Sequence, residues 1–154
     1  MERFGLLGEH LGHSFSETIH SLFFKKTGMK GKYELYERKT EDIKELLDEM
    51  KTGKLKGLNV TIPYKVEVMK YLDFLSKEAE TIGAVNTIAY KDGKLSGYNT
   101  DYYGFLETLK INNLEVDGKK ILILGTGGAA KAIYGTLTAL NADTIYLATI
   151  EKDD

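Results

Sequence analysis

The sequence predicts an α/β protein, with a mixed sheet over residues 1–111 followed by the opening of a parallel-sheet domain over 112–154. Three observations predict it. Segments with strand-like alternation are interleaved with segments whose apolar residues recur at helical spacing. Asp92-Gly93 sits between two strand-like runs, a strong hairpin signal, so part of the sheet is antiparallel. Residues 120–147 read as strand, glycine turn, helix and strand, the order of a β-α-β unit.

Taken in order, residues 3–7 form a short buried strand, and 8–14 a loop containing Gly8 and Gly12. Ser16 is placed to cap a helix whose apolar positions Ile19, Leu22 and Phe23 keep helical spacing and which stops near Gly28. Residues 32–38 alternate like a strand. Thr40 caps a second helix, with Glu41 and Asp42 in its first turn and Ile43, Leu46, Leu47 and Met50 on one stripe. Gly53 and Gly57 flank the turn into the next strand. Residues 84–90 and 94–98 are the hairpin strands. Thr100 or Asp101 caps a helix with Tyr102, Phe105, Leu106 and Leu109 on its inner side. The polar connector 112–119 marks the domain boundary. A buried strand at 120–124, a glycine turn at 125–128, a helix over 129–141 with Ala132, Ile133, Thr136, Leu137 and Leu140 inward, and a strand at 144–147 complete the chain.

Composition narrows the function classes. The 154 residues are 42% hydrophobic and 29% charged, which is globular rather than disordered. A net charge of −2 implies neither nucleic acid nor an anionic membrane as partner. There is no cysteine, hence no disulfide framework and no thiolate chemistry. The start, MERFGLLGEH, lacks a basic, then apolar, leader. No stretch is apolar enough for a membrane span, and a cytoplasmic location is expected. Three histidines without matching acidic clusters give no metal site.

The most informative run is Gly57-Leu58-Asn59-Val60-Thr61-Ile62-Pro63-Tyr64-Lys65. Asn59 and Thr61 point to one face of a strand, and Leu58, Val60 and Ile62 to the other. Pro63, the only proline, is expected at the first position of a helix, which puts Lys65 in its first turn beside the polar strand face. An amide, a hydroxyl and an ammonium then converge, suited to a small polyhydroxylated ligand and to proton transfer. Ser14 and Ser16 offer two hydroxyls that can meet a carboxylate without adding charge, although a helix cap explains Ser16 equally well. Asn86 puts an amide on a strand, and Asp101 a carboxylate at a helix start, where an N-cap is the alternative role. Lys65 and Asp101 both stand at strand-to-helix junctions, where α/β sheets present ligand sites.

The turn Gly125-Thr126-Gly127-Gly128-Ala129-Ala130 follows a strand and opens a helix. This context allows the backbone and the free amides of the helix start to approach a pyrophosphate. In the region after the second strand, Glu151 is placed to accept a ribose hydroxyl, which favours NAD, and no arginine is present to grip a 2′-phosphate. One β-α-β unit is less than a full dinucleotide-binding domain, so the chain is expected to be a fragment or a truncated product.

Taken together, these segments resemble the shikimate dehydrogenase family, which interconverts 3-dehydroshikimate and shikimate with NADP(H). Five segments match in order: 8–20, 57–65, 83–87, 97–101 with Gly104, and 125–129. The resemblance implies a mixed-sheet substrate-binding domain followed by the first part of a Rossmann-like NAD(P)-binding domain. It implies that Ser14, Ser16, Asn59, Thr61, Asn86 and Asp101 surround the cyclohexene acid, with the two serines at its carboxylate. Lys65 and Asp101 become the catalytic pair, Lys65 as acid/base. Gly125, Gly127, Gly128 and Ala129 lie against the pyrophosphate of NADP, with NAD as the alternative cofactor. The family usually has Pro and Asn where Glu17 and Ser21 stand. Its Asn-Arg-Thr reader of the 2′-phosphate aligns with Thr149-Ile150-Glu151. Its second nucleotide half and a late helix carrying a substrate-binding Gln have no counterpart here. Two other functions fit the residues: a shikimate-binding module without catalysis, and an NAD-dependent quinate/shikimate dehydrogenase.

Overall fold

The computed structural model describes residues 1–149, and packing divides them into two compact units. The first comprises Met1–Ser76 and Val85–Tyr98. It holds β1 (Glu2–Gly8), α1 (Ser16–Thr27), β2 (Gly31–Glu37), α2 (Ile43–Lys51), β3 (Gly57–Val60), the short β4 (Phe74–Leu75), β5 (Thr87–Lys91) and β6 (Lys94–Tyr98). One six-stranded sheet runs β2-β1-β3-β5-β6-β4. β1 is parallel to β2 and β3, β5 is antiparallel to β3 and β6, and β4 is parallel to β6. The sheet is therefore mixed, as expected. Its hairpin turns at Asp92 (φ 52°) and Gly93 (φ 78°), two consecutive left-handed residues as a two-residue primed turn requires.

Strand alternation gives this sheet two unlike faces. Leu7, Leu58, Val60 and Ile88 share one face by register and are all buried. Arg3 lies on the same side of β1 and binds Glu49 of α2 at 3.1 Å, so α2 covers this face with its buried stripe Ile43, Leu46, Leu47 and Met50. The Arg3 guanidinium also meets Glu34 at 2.9 Å and the Tyr36 hydroxyl at 3.0 Å. On the opposite face, Leu6 and Tyr33 pack with Leu11 and with Phe24 of α1.

Several local expectations are corrected. Ile62 is 71% exposed and does not continue the buried row of Leu58 and Val60, because β3 ends at Val60. Of α1, Phe24 is buried, whereas Ile19, Leu22 and Phe23 are exposed. Ser16 is the first residue of α1 rather than its cap, and Phe15 at the cap position makes no side-chain cap bond. Thr40 opens a 3₁₀ turn over Thr40–Asp42, and α2 begins only at Ile43.

The second unit comprises Lys77–Ala84 and the chain from Asn99 on. It contains α3 (Lys77–Ile82), α4 (Thr100–Ile111), β7 (Lys120–Leu124), α5 (Gly128–Ala139) and β8 (Thr144–Ala148). β7 and β8 pair in parallel, the expected β-α-β unit. Its core is Leu109, Val116, Ile123, Ala130 and Leu137, joined by Phe105, Ile133 and Leu140. β7 is not wholly buried as expected: Ile123 faces this core, while Leu122 and Leu124 on the other side of the strand are exposed. A smaller cluster joins Ile82 and Ala84 to Ala132 and Tyr102.

Among the described residues, no helix is long and apolar enough to cross a membrane, and no cluster of three or more His, Cys, Asp or Glu could hold a metal ion.

Candidate active site

The strand directions of the first unit bring most candidate residues to one edge. The carboxyl ends of β1, β2, β3 and β6 and the amino end of β5 share that edge. Ligands of α/β sheets bind beyond such carboxyl ends. Ser14 and Ser16 follow β1, Thr61 and Lys65 follow β3, and Asn86 precedes β5. Backbone hydrogen bonds tie the edge together. The Thr61 amide donates to Leu7 O at 2.9 Å, Val60 to Asn86 O at 2.8 Å, and Asn86 to Tyr98 O at 3.0 Å. Asn86 is thus just outside β5, not within a strand as expected. Gly8 leaves room for Thr61: a Cβ there would lie 2.8 Å from Thr61 Cγ2 and 2.5 Å from Leu11 Cδ2.

Pro63 does not start an α-helix. The Ile62–Pro63 peptide is cis, and the chain turns over residues 62–66 before a 3₁₀ helix at Glu67–Tyr71. The Tyr64 amide donates to Thr61 O at 2.9 Å, which closes a four-residue turn with proline at its third position. Tyr64 is buried and donates from its hydroxyl to Arg38 O at 2.6 Å. The Lys65 carbonyl accepts from the Val85 amide at 2.7 Å. Lys65 is therefore held through its backbone next to Asn86, on a turn rather than in the first turn of a helix.

The polar side chains of the edge form a connected row. The Ser14 hydroxyl accepts from the Ser16 amide at 3.2 Å. The Ser16 side chain lies close enough to the Tyr33 phenol to lower its pKa. Tyr33 donates to Asn59 Oδ1 at 2.7 Å, Asn59 Nδ2 to Thr87 Oγ1 at 3.3 Å, and Thr87 to Asn86 Oδ1 at 3.0 Å. Burial pushes the Tyr33 phenol up to about 12, partly offset by Ser16. Ser14, Ser16, Asn59, Thr61, Lys65 and Asn86 thus belong to one edge of one unit. Tyr33 and Thr87 join them, although the sequence reading assigned neither a role. The alternation of β2 put Tyr33 on the polar side of the sheet, but nothing local showed that its hydroxyl crosses β1 to reach Asn59.

Asp101 belongs to the second unit. Neither Thr100 nor Asp101 caps α4. The cap is Asn99, whose Oδ1 accepts from the Asp101 and Tyr102 amides at 3.1 and 3.3 Å. Its Nδ2 donates to Ala84 O at 2.9 Å, and the residue is buried. Asparagine just before a helical run is the signal that would have identified it. With Asn99 in that role, capping does not account for the Asp101 carboxylate, which stands in the first turn of α4.

The glycine turn also belongs to the second unit. Gly125 has φ 106°, a conformation side chains disfavour, and its amide donates to Ala148 O at 2.7 Å. Gly127 is the cap residue of α5 and makes no side-chain cap bond, and the first turn of α5 carries no acidic residue. Its leading amides are free of a capping side chain, and no carboxylate stands in this first turn to repel an anion. Gly125, Gly127, Gly128 and Ala129 therefore fit a dinucleotide pyrophosphate. Ile150 and Glu151, of the expected selector, lie outside the described residues.

Comparison with known proteins bears on the family and the fold. Residues 6–88 match the family model described as shikimate dehydrogenase substrate binding domain. A curated relative named shikimate dehydrogenase (NADP(+)), from Clostridium beijerinckii, is 49% identical over 97% of this chain and 55% of its own length. The crystal structure of shikimate dehydrogenase 1 from Peptoclostridium difficile superposes with a TM-score of 0.92 at 45% identity, over 100% of this chain and 57% of that one. The shikimate 5-dehydrogenase of Listeria monocytogenes in complex with shikimate and NAD gives 0.90 at 36% identity, over 99% and 53%. The chain spans about half the length of the curated relatives it matches. The matched domain model, which covers more than half of the residues and includes the polar sheet edge, assigns this chain to the shikimate dehydrogenase family.

Proposed function

We propose that this chain acts in the NADP-linked interconversion of 3-dehydroshikimate and shikimate, the aromatic-biosynthesis reaction of its family, with residues 1–111 binding substrate and 112–154 contributing to the nucleotide site. The observation that carries the proposal is the shared edge. Two serines, two asparagines, a threonine and a lysine stand at or next to the carboxyl ends of a mixed sheet, in a chain whose family model is described as shikimate dehydrogenase substrate binding domain.

The residues divide the work by chemistry. Ser14 and Ser16 donate to the substrate carboxylate. Asn59, Thr61 and Asn86 hold the ring hydroxyls, each of which needs both a donor and an acceptor. NADP(H), when bound, supplies the hydride exchanged with the reacting ring carbon. The protein handles the proton. In the reducing direction the Lys65 ammonium gives a proton to the carbonyl oxygen, which becomes the hydroxyl. In the oxidising direction the Lys65 amine takes it back. Asp101 is the second residue of the proposed catalytic pair. Gly125, Gly127, Gly128 and Ala129 hold the pyrophosphate through backbone amides. A cytoplasmic location belongs to the same proposal.

Calorimetric titration of the chain with shikimate, then with NADP and NAD, tests the reading. Heat of binding for shikimate and for a nucleotide supports it, binding of shikimate without either nucleotide supports a non-catalytic binding module instead, and absence of shikimate binding removes both. Lys65→Ala is expected to cut turnover by about 10²-fold or more with little change in KM for shikimate. Normal turnover would remove Lys65 from the mechanism.

One observation favours a second reading, NAD dependence with quinate as a further substrate. A structural neighbour carries shikimate and NAD, and Ile150 stands where the family has the arginine that reads the 2′-phosphate. Initial rates on shikimate and quinate with each nucleotide separate the two.

A further inference from the structure

Four side chains of the first unit form a hydrogen-bond chain in which every donor points the same way. Tyr33 donates to Asn59 Oδ1 at 2.7 Å, Asn59 Nδ2 to Thr87 Oγ1 at 3.3 Å, and Thr87 to Asn86 Oδ1 at 3.0 Å. An amide has two ends of nearly equal shape, and its hydrogen-bond partners decide which end points where. The Tyr33 hydroxyl has one proton, and the residue is buried, so the proton finds an acceptor inside the protein. Asn59 Oδ1 takes it, which turns the Asn59 nitrogen toward Thr87. The Thr87 hydroxyl, accepting from Asn59, spends its own single proton on Asn86 Oδ1. The orientation of the Asn86 amide is therefore coupled to the far end of the row.

The backbone makes the row rigid. Asn59 and Thr87 are direct partners in the antiparallel register of β3 and β5, and Asn86 is the residue before Thr87. The Tyr33 ring is stacked on His20, with centroids 3.9 Å apart and planes at 13°. His20 is held by Nδ1, which donates to Ser16 O at 2.8 Å.

We propose that Tyr33 and Thr87 are positioning residues that set the amide orientations of Asn59 and Asn86 for ligand recognition. The inference rests on the shikimate-site reading and adds to it two residues with no part in the proton chemistry. Neither needs to touch the ligand. Both act by favouring the amide orientation that satisfies every partner of this half-buried row.

Shikimate titration of wild type, Thr87→Val, Thr87→Ser and Tyr33→Phe, each with its thermal midpoint, tests this. Thr87→Val keeps the β-branched shape and loses the hydroxyl, and is expected to weaken shikimate binding about tenfold. Thr87→Ser is expected to restore it to within about twofold, because the hydroxyl is what the row needs. Tyr33→Phe keeps the ring against His20 and is expected to weaken binding by about threefold to tenfold. It is also expected to shift the Asn86 side-chain amide signal in a ¹H–¹⁵N spectrum, at a residue Tyr33 does not bond. A purely structural role would lower the thermal midpoint alone. Unchanged affinity in Thr87→Val and Tyr33→Phe overturns the inference, as does equal weakening in Thr87→Ser and Thr87→Val. Should Thr87→Val not fold, Tyr33→Phe decides by the same two readouts. Loss of shikimate binding in the wild type is a different result, and overturns the site reading beneath the inference.

Discussion

The two faces of the sheet in the first unit differ in what they bury. On the α2 face, Leu7, Leu58, Val60 and Ile88 meet a helix whose four apolar residues are all buried. On the α1 face, the sheet presents Tyr33, Asn59 and Thr87, joined by hydrogen bonds, and the helix buries Phe24 while Ile19, Leu22 and Phe23 remain exposed. Adjacent residues of one strand, Leu58 and Asn59, thus serve opposite ends. The lesson is that a period-2 strand lets stability and recognition share a backbone, because successive side chains never compete for the same side. Apolar burial does not specify a direction, so the α2 face can supply stability without fixing a ligand geometry. A closed row of hydrogen bonds contributes less net stability but fixes orientation.

Substitutions on the two faces should separate these roles. The largest stability effect is expected from Leu58→Ala, which leaves a cavity on the α2 face and should cost about 3 kcal/mol by urea unfolding. A loss below about 1 kcal/mol would mean that this face is not the main store of stability. Next comes Glu34→Gln. The Lys32 ammonium and then the Arg3 guanidinium hold the Glu34 carboxyl at about 2, well below its ordinary value of 4.5. Its folded pKa is depressed, so its contribution is present above about pH 4.5 and lost as pH falls toward 2. Glu34→Gln should therefore cost roughly 1 kcal/mol at pH 7, because the pair is partly exposed, and almost nothing near pH 2. A loss independent of pH would show that packing, not charge, is what Glu34 contributes.

Thr87→Val, on the α1 face, should cost under about 1 kcal/mol in the same unfolding assay while shikimate affinity falls. A large stability loss with intact affinity would reverse the comparison. The smallest stability effect is expected from Lys65→Ala, within about 0.5 kcal/mol of wild type, since Tyr64 burial and the Val85 amide hold that turn through groups the substitution leaves in place. A destabilised Lys65→Ala would make the lysine part of the scaffold.

Much of this was legible in the sequence because it depends on neighbours in the chain. Ile43, Leu46, Leu47 and Met50 announce a buried helix stripe by spacing alone, and all four are buried. Asp92-Gly93 announces its turn because few residues accept two consecutive positive φ values. The β7–glycine turn–α5–β8 order is equally local. The misreadings have a common cause. Ser16 and Asp101 looked like caps because they are good capping residues near helix starts, but which residue occupies the cap depends on where the preceding loop delivers the chain. Pro63 is compatible with both a helix start and a turn, and only the path from β3 toward the Val85 strand entry selects the turn. The apolar spacing of Ile19, Leu22 and Phe23 was real, yet spacing does not say whether a surface exists to receive them. Tyr33 and Thr87 were missed because their roles depend on partners 26 and 28 residues distant from or to Asn59.

By itself the sequence determined the α/β class, the positions of most elements, the two unlike faces of β3 and the family-like set Ser14, Ser16, Asn59, Thr61, Lys65, Asn86 and Asp101. Each follows from side-chain chemistry or short-range periodicity, which is carried by the local chain. Tertiary structure alone decided that β1, β3, β5 and β6 bring their polar ends to one edge, that Asn99 caps α4, and that Tyr33 reaches Asn59 across a strand. Those facts depend on strand order and register, and a register shift by one residue would turn every one of these side chains to the opposite face.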